Sequence, residues 1–128
     1  MSIYAIGHDI VENKRIKTLI DQYGQKFVQK ILSASEQEIL LTKSDKSKFI
    51  AKRFAAKEAF AKACGTGLRA PILMHSISIA NDSLGKPYFI FDDNINTWLD
   101  NKHITSCHLS LSDENYLSSA FVVLEQSS

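Results

Sequence analysis

A chain of 128 residues, 45% hydrophobic with 9% aromatic, makes one domain spanning 1–128. At that size a chain buries about two-thirds of its unfolded surface without disulfides or metal staples. The net charge of +1 argues against a general nucleic-acid binder, and two cysteines without a Cys-x-x-Cys spacing argue against a disulfide framework. No apolar run approaches a membrane span, and the first residues carry Asp9 and Glu12 instead of a basic, apolar leader, so the expected setting is cytoplasmic, with Cys64 and Cys107 as free thiols.

Charge is unevenly spread. Residues 1–13 carry net −2, residues 14–62 net +7 and residues 63–128 net −4. A basic middle on a nearly neutral chain suits an acidic partner or a phosphorylated ligand, although a solvated lysine-rich helix surface gives the same count.

Ile3 to Val11 reads as a strand, with Ile3, Ala5, Gly7, Asp9 and Val11 on one face and Tyr4, Ile6, His8 and Ile10 on the other. Asp9 therefore stands on an apolar or small-residue face, where a carboxylate needs a cation or hydrogen-bond donors. Gly7 and Ala5 leave space beside it; capping the next helix is the plainer use of this Asp. Lys14 to Tyr23 is a short basic amphipathic helix, followed past Gly24 by a second around Phe27, Val28, Ile31 and Leu32. Ser35-Glu-Gln-Glu38 is a capping-box pattern that predicts the start of a third helix.

A long helix is expected from Ser47 to Cys64, free of Pro and Gly, with Gly65 able to take a left-handed C-terminal position. Its apolar and small residues run all round, so it should be largely buried, yet it carries Arg53, Lys57, Glu58 and Lys62. Glu58 and Lys62 stand in the favourable order for a surface pair, and they equally suit a metal-bound phosphate lying against alanines.

The pattern then turns to strands. Ser76 to Ala80 and Tyr88 to Phe91 are short β segments joined by a turn containing Gly85-Lys86-Pro87, and Asp92 to Asn101 forms a helix. Thr105 to Ser112 and Leu117 to Glu125 are two strands about an Asp113-Glu-Asn115 hairpin turn. The order of elements predicts an α+β domain, a mainly antiparallel sheet packed on a long central helix with short helices near the N-terminus.

Four pieces point together. Ile6-Gly-His-Asp9-Ile-Val-Glu12 with Arg15-Ile16, Arg53-Phe-Ala-Ala-Lys57-Glu58-Ala with Lys62-Ala-Cys-Gly65-Thr66-Gly67, Leu84-Gly-Lys86-Pro87, and the run from His108 to Glu125 together resemble the holo-acyl-carrier-protein synthases, a 4′-phosphopantetheinyl transferase family. Gly65-Thr66-Gly67 is not a Walker A loop, since no Gly-Lys-Ser/Thr follows. The sequence departs from the family at His8, Cys64, Leu117 and Asp113.

The resemblance implies the phosphopantetheinyl transferase fold and transfer of 4′-phosphopantetheine from coenzyme A to a serine of an acidic acyl carrier protein, in support of fatty acid biosynthesis. It implies Mg²⁺ held by Asp9 and Glu58, with Lys62 reaching the same diphosphate, and leaves open whether a carboxylate or a metal-bound water accepts the serine proton. It assigns Gly65, Thr66, Gly67, Lys86 and Pro87 to the cofactor, through amides of the glycine triplet and a lysine bordering the nucleotide. Arg53 and His108 become candidate contacts from a neighbouring subunit of a homotrimer; a plain acid partner is the other reading of Arg53. Lys14, Arg15 and Lys17 become the docking point for the carrier protein. No nucleic acid and no membrane is expected. A non-catalytic protein that binds acidic helices through its basic N-terminal third is the reading from a different class.

Overall fold

The computed structural model describes residues 1–127. Strand β1 (Ser2–Glu12) leads into helices α1 (Asn13–Tyr23), α2 (Gln25–Ile31), α3 (Ala34–Leu40) and α4 (Lys46–Cys64). A 3₁₀ turn (Met74–Ser76) precedes β2 (Ile77–Asn81) and β3 (Pro87–Phe91); α5 (Asp93–Asn101), β4 (Ile104–Asp113) and β5 (Leu117–Gln126) complete the chain. The strands form two antiparallel sheets, a three-stranded one in the order β1-β5-β4 and the separate hairpin β2-β3.

Helix α4 is the axis, and its composition explains how closely the sheet lies on it. Ala51, Ala55, Ala56 and Ala59 are fully buried, and β1 crosses at Gly7, where an added Cβ would stand 1.9 Å from the Ala59 carbonyl oxygen. The room expected beside Asp9 at Gly7 is thus taken up by the helix backbone. On the other side of α4, Phe60 stacks on Phe91 at 4.7 Å and tilts against Phe89 at 5.3 Å, fastening the β2-β3 hairpin; each such pair adds about 0.5–1.5 kcal/mol beyond its area. Gly65 ends the helix at φ 79, as its lack of a Cβ allows.

Two local expectations change. The capping box belongs to Ser33 and Glu36, not to Ser35 and Glu38, because Glu36 is drawn inward by a buried lysine. Asp9 does not cap α1, whose N-cap is Glu12, without a side-chain hydrogen bond.

The three-stranded sheet is covered on one side only. Val11, Ala120, Val122 and Leu124 face α4 and are buried, whereas Ile6 and Ile10 on β1 and Phe121 on β5 stay 59%, 56% and 42% exposed. Cys64 and Cys107 are free, and burial pushes both thiols up to about 12, which makes them poor nucleophiles. No helix among the described residues is long and apolar enough to cross a membrane.

Candidate active site

The Gly7 crossing sets the first contact of the site. Alternation along β1 puts Gly7, Asp9 and Val11 on the face toward α4 and leaves His8 on the outer face, so close approach at Gly7 carries Asp9 to the last turns of α4. There Lys62 Nζ donates to Asp9 Oδ1 at 2.9 Å and to the His8 carbonyl at 3.0 Å. Lys62 pairs with the distant Asp9 and not with Glu58 on its own helix. The pair is unequal in exposure, with side-chain values of 15% for Asp9 and 54% for Lys62, so the ammonium is open to a ligand.

Glu58 lies within the electrostatic reach of the same group. Burial raises its carboxyl above the ordinary value, and the charge of Asp9 raises it further; Lys62 and Arg15 pull it down. Residues 9, 15, 58 and 62, from β1, α1 and α4, thus act on one another. Arg15 reaches this position by lying over the Phe54 ring, 5.9 Å from its centroid. A charge change at Arg15 therefore acts on the site as well as on the exposed face of α1 with Lys14 and Lys17.

A cavity of about 360 Å³ opens at Glu58, with Phe27, Lys30 and Ile31 of α2 on one wall and Phe54 and Leu68 among the other lining residues. It is mostly apolar, with the Glu58 carboxylate, Lys30 and His75 as its polar lining. This suits a flexible, largely uncharged arm attached to a phosphate.

The remaining predicted contacts lie elsewhere in the single chain. The Gly65 and Gly67 amides donate to the Lys62 and Ala61 carbonyls, closing α4. What these two glycines provide is clear space, since a Cβ at either would meet nothing within 4 Å. Lys86 and Pro87 sit at the β2-β3 turn, where the Asp82 carboxylate accepts from the Leu84 and Lys86 amides, both at 2.9 Å. His108 is on the outer sheet face and contacts Glu125 Oε1 at 2.6 Å. No hydrogen bond or ion pair joins Lys86 or His108 to the Asp9 group among the described residues.

Arg53 has the acid partner that was its plainer reading. Its Nε lies 3.1 Å from Glu36 Oε2, without hydrogen-bond alignment, and its guanidinium sits 3.7 Å over the Phe49 ring. Glu36 also accepts from Lys57, from the Ser33 amide at 3.0 Å and from the Ile79 amide at 2.9 Å. This buried cluster escaped the sequence reading. Its signals were Arg53 and Lys57, two cations on an otherwise buried helix.

The donor set can be tested against a divalent cation. Among the described residues no three His, Cys, Asp or Glu side chains form a closed cage. Mg²⁺ ordinarily takes one or two carboxylates and completes its shell with phosphate oxygens and water, so two mutually repelling carboxylates beside an open cavity suit an ion that arrives with a diphosphate.

Comparisons with known proteins bear on the family and the fold. The sequence pattern of the 4′-phosphopantetheinyl transferase superfamily matches residues 5–120. The holo-[acyl-carrier-protein] synthase of Nitrosomonas europaea is 48% identical over 124 residues, covering 97% of this chain and 99% of that protein. Among solved structures, the synthase of Neisseria meningitidis superposes with a TM-score of 0.95 at 44% identity, covering 97% of this chain and 99% of that one. A Bacillus anthracis synthase described as a complex with CoA (3′,5′-ADP) gives 0.82 at 37% identity, covering 99% of this chain and 100% of that one.

Proposed function

The chain belongs to the 4′-phosphopantetheinyl transferase superfamily, and from that premise we propose that Asp9, Glu58 and Lys62 form its reaction centre. It transfers the 4′-phosphopantetheine group from coenzyme A to a serine of an apo acyl carrier protein, releasing adenosine 3′,5′-bisphosphate. The observation that carries the reaction centre is the convergence of Asp9 and Lys62, at 2.9 Å, on the turn of α4 that also holds Glu58.

In the reaction the serine Oγ attacks the phosphorus that bears the pantetheine arm. A new O–P bond forms as the bond to the bridging diphosphate oxygen breaks, and the nucleotide leaves with the electron pair. Asp9 and Glu58 are the residues that would hold Mg²⁺, and the ion would supply neutralisation of charge on the diphosphate. Lys62, more than half exposed at its side chain, turns from Asp9 to a phosphate oxygen. The serine proton passes to the carboxylate of Glu58, which lines the cavity. The apolar cavity at Glu58 receives the pantetheine arm, and the open space at Gly65 and Gly67 admits the nucleotide end near Thr66. Lys86 and Pro87 border the nucleotide at the hairpin turn.

Lys14, Arg15 and Lys17, exposed on α1 next to Glu58, form the docking face for an acidic carrier protein, which brings its serine to the cavity mouth. The holo product supports fatty acid synthesis. The bare outer sheet face supports a homotrimer in which His108 faces a neighbour's cofactor.

Incubation of the chain with apo acyl carrier protein, coenzyme A and Mg²⁺ should add one phosphopantetheine mass to the carrier, and chelation should stop the reaction. A carrier that stays unmodified while a positive-control transferase converts it would reject the function. Full turnover after complete chelation would reject the metal.

A further inference from the structure

Three charged side chains lie in the interior without contact with the proposed reaction centre. Glu36 and Lys57 are fully buried and Arg53 is 7% exposed, so two cations share one carboxylate out of water. Such clusters stabilise poorly, because desolvation offsets most of the attraction and apolar residues of similar volume often do as well. Their geometry is more informative than their energy.

Lys57 Nζ donates to Glu36 and, at 2.7 Å, to the carbonyl of Ile31. That carbonyl closes α2, where the last turn has no helical donors left to satisfy it. Glu36 takes the Ser33 amide at the start of α3 and the Ile79 amide of β2. One ion cluster therefore registers α2, α3 and β2 against α4. Ile31, Phe27 and Lys30 are also the α2 wall of the cavity at Glu58, and Phe54 and Glu58 belong to α4. Lys57 is adjacent to Glu58 in the chain and about one turn beyond Phe54, so its bond to Ile31 ties α2, which lines the cavity, to the part of α4 that also lines it.

We propose that Lys57 and Glu36 are positioning residues that hold the α2 wall of the cavity at a fixed distance from Glu58, and so set the fit of the coenzyme A arm. The inference rests on the reading of that cavity as the arm's site. An apolar residue at 57 would fill the volume but would leave the Ile31 carbonyl without its donor and α2 free to slide.

Lys57→Met is the direct test, since Arg53 still faces Glu36 and leaves no uncompensated buried acid. Transfer kinetics with each substrate varied, and calorimetric binding of coenzyme A without carrier protein, are measured on material shown to be folded by circular dichroism. A wall displaced by a fraction of an ångström should raise KM and Kd for coenzyme A roughly tenfold, with KM for the carrier protein nearly unchanged. A merely structural role lowers the melting temperature and leaves those constants alone. Lys57→Gln, neutral and too short to reach the Ile31 carbonyl while Arg53 still faces Glu36, should move the same constants in the same direction, and decides the matter if Lys57→Met does not fold. Wild-type KM and Kd for coenzyme A in a folded variant, or equal rises for both substrates, would overturn the proposal. If the wild-type chain binds coenzyme A yet transfers nothing, the functional reading fails, and the calorimetric comparison still judges the positioning role.

Discussion

Asp9→Asn and Glu58→Gln each remove one charge from a group in which Asp9 raises Glu58 and Lys62 pairs with Asp9. Each should lower the transfer rate by about 10²–10³-fold with little change in melting temperature, because the charge acts on the diphosphate and both side chains are partly solvated. Near-wild-type turnover of both variants across a magnesium titration would remove the metal assignment. These two positions stand out in the sequence because each breaks a pattern. An acid on the apolar face of a strand and an acid among alanines on a buried helix both demand a partner. Glu36 was not legible, since Ser33-x-x-Glu36 and Ser35-x-x-Glu38 both fit a capping box. What decides between them is the buried Lys57 amine, which is far away in sequence. Arg53 reads in the sequence either as a cofactor contact on a neighbour or as the partner of an acid; that the acid is Glu36 appears only in the fold.

Elements were easier to read than their contacts, because periodicity reports which face is apolar without saying what lies against it. The hairpin β2-β3 was found as two strands, but its separation from the other sheet, with Phe89 and Phe91 packed on Phe60, appears only in the fold. The Gly7 crossing is similar: glycine in a strand signals a close approach, and the structure identifies the neighbour as the Ala59 backbone. Gly7→Ala should cost about 3 kcal/mol or more, as two backbones must part, and thermal unfolding reads it. A melting temperature within a degree of wild type would contradict the close crossing. The ion cluster gives a second test at this scale. Burial pushes Lys57 down to about 8 from the ordinary 10.5, with Glu36 opposing the shift and Arg53 adding to it. Between those values the unfolded chain holds a proton at Lys57 that the folded chain has lost. Stability therefore rises with pH over that window, by at most about 1.4 kcal/mol per unit, and this contribution is absent below the folded value. Urea unfolding at points from pH 8 to 10 should show the rise in wild type and a flatter response in Lys57→Met; identical slopes would place the charged lysine's cost elsewhere.

The assembly is argued from the sheet face that the chain leaves bare. Alternation predicts apolar residues on both sides of β5, and the helices bury only one of them. Val122 and Leu124 are fully buried against α4, while Phe121 stands outward beside His8, its ring centroid 6.3 Å from the imidazole. Ile6, Ile10 and Phe121 are each about half exposed, and covering each would gain roughly 1 kcal/mol, which a second copy of the chain can supply symmetrically. His108 pairs in register with Val123 on the same face, so a neighbour docked there would meet the imidazole. In the proposed trimer, Phe121→Asp should place charges at the contact and yield monomers by light scattering, with transfer falling in step with the loss of trimer. A stronger check uses two variants that fail for different reasons. His108→Ala would spoil the contribution to a neighbour's site, and Glu58→Gln would spoil the chain's own, so mixed assemblies contain some sites built from two intact halves. Activity should then reappear on mixing, after an interval set by subunit exchange. If mass spectrometry shows exchange while activity stays at the level of the separate variants, each site is complete within one chain; a monomeric wild type with full activity would lead to the same conclusion.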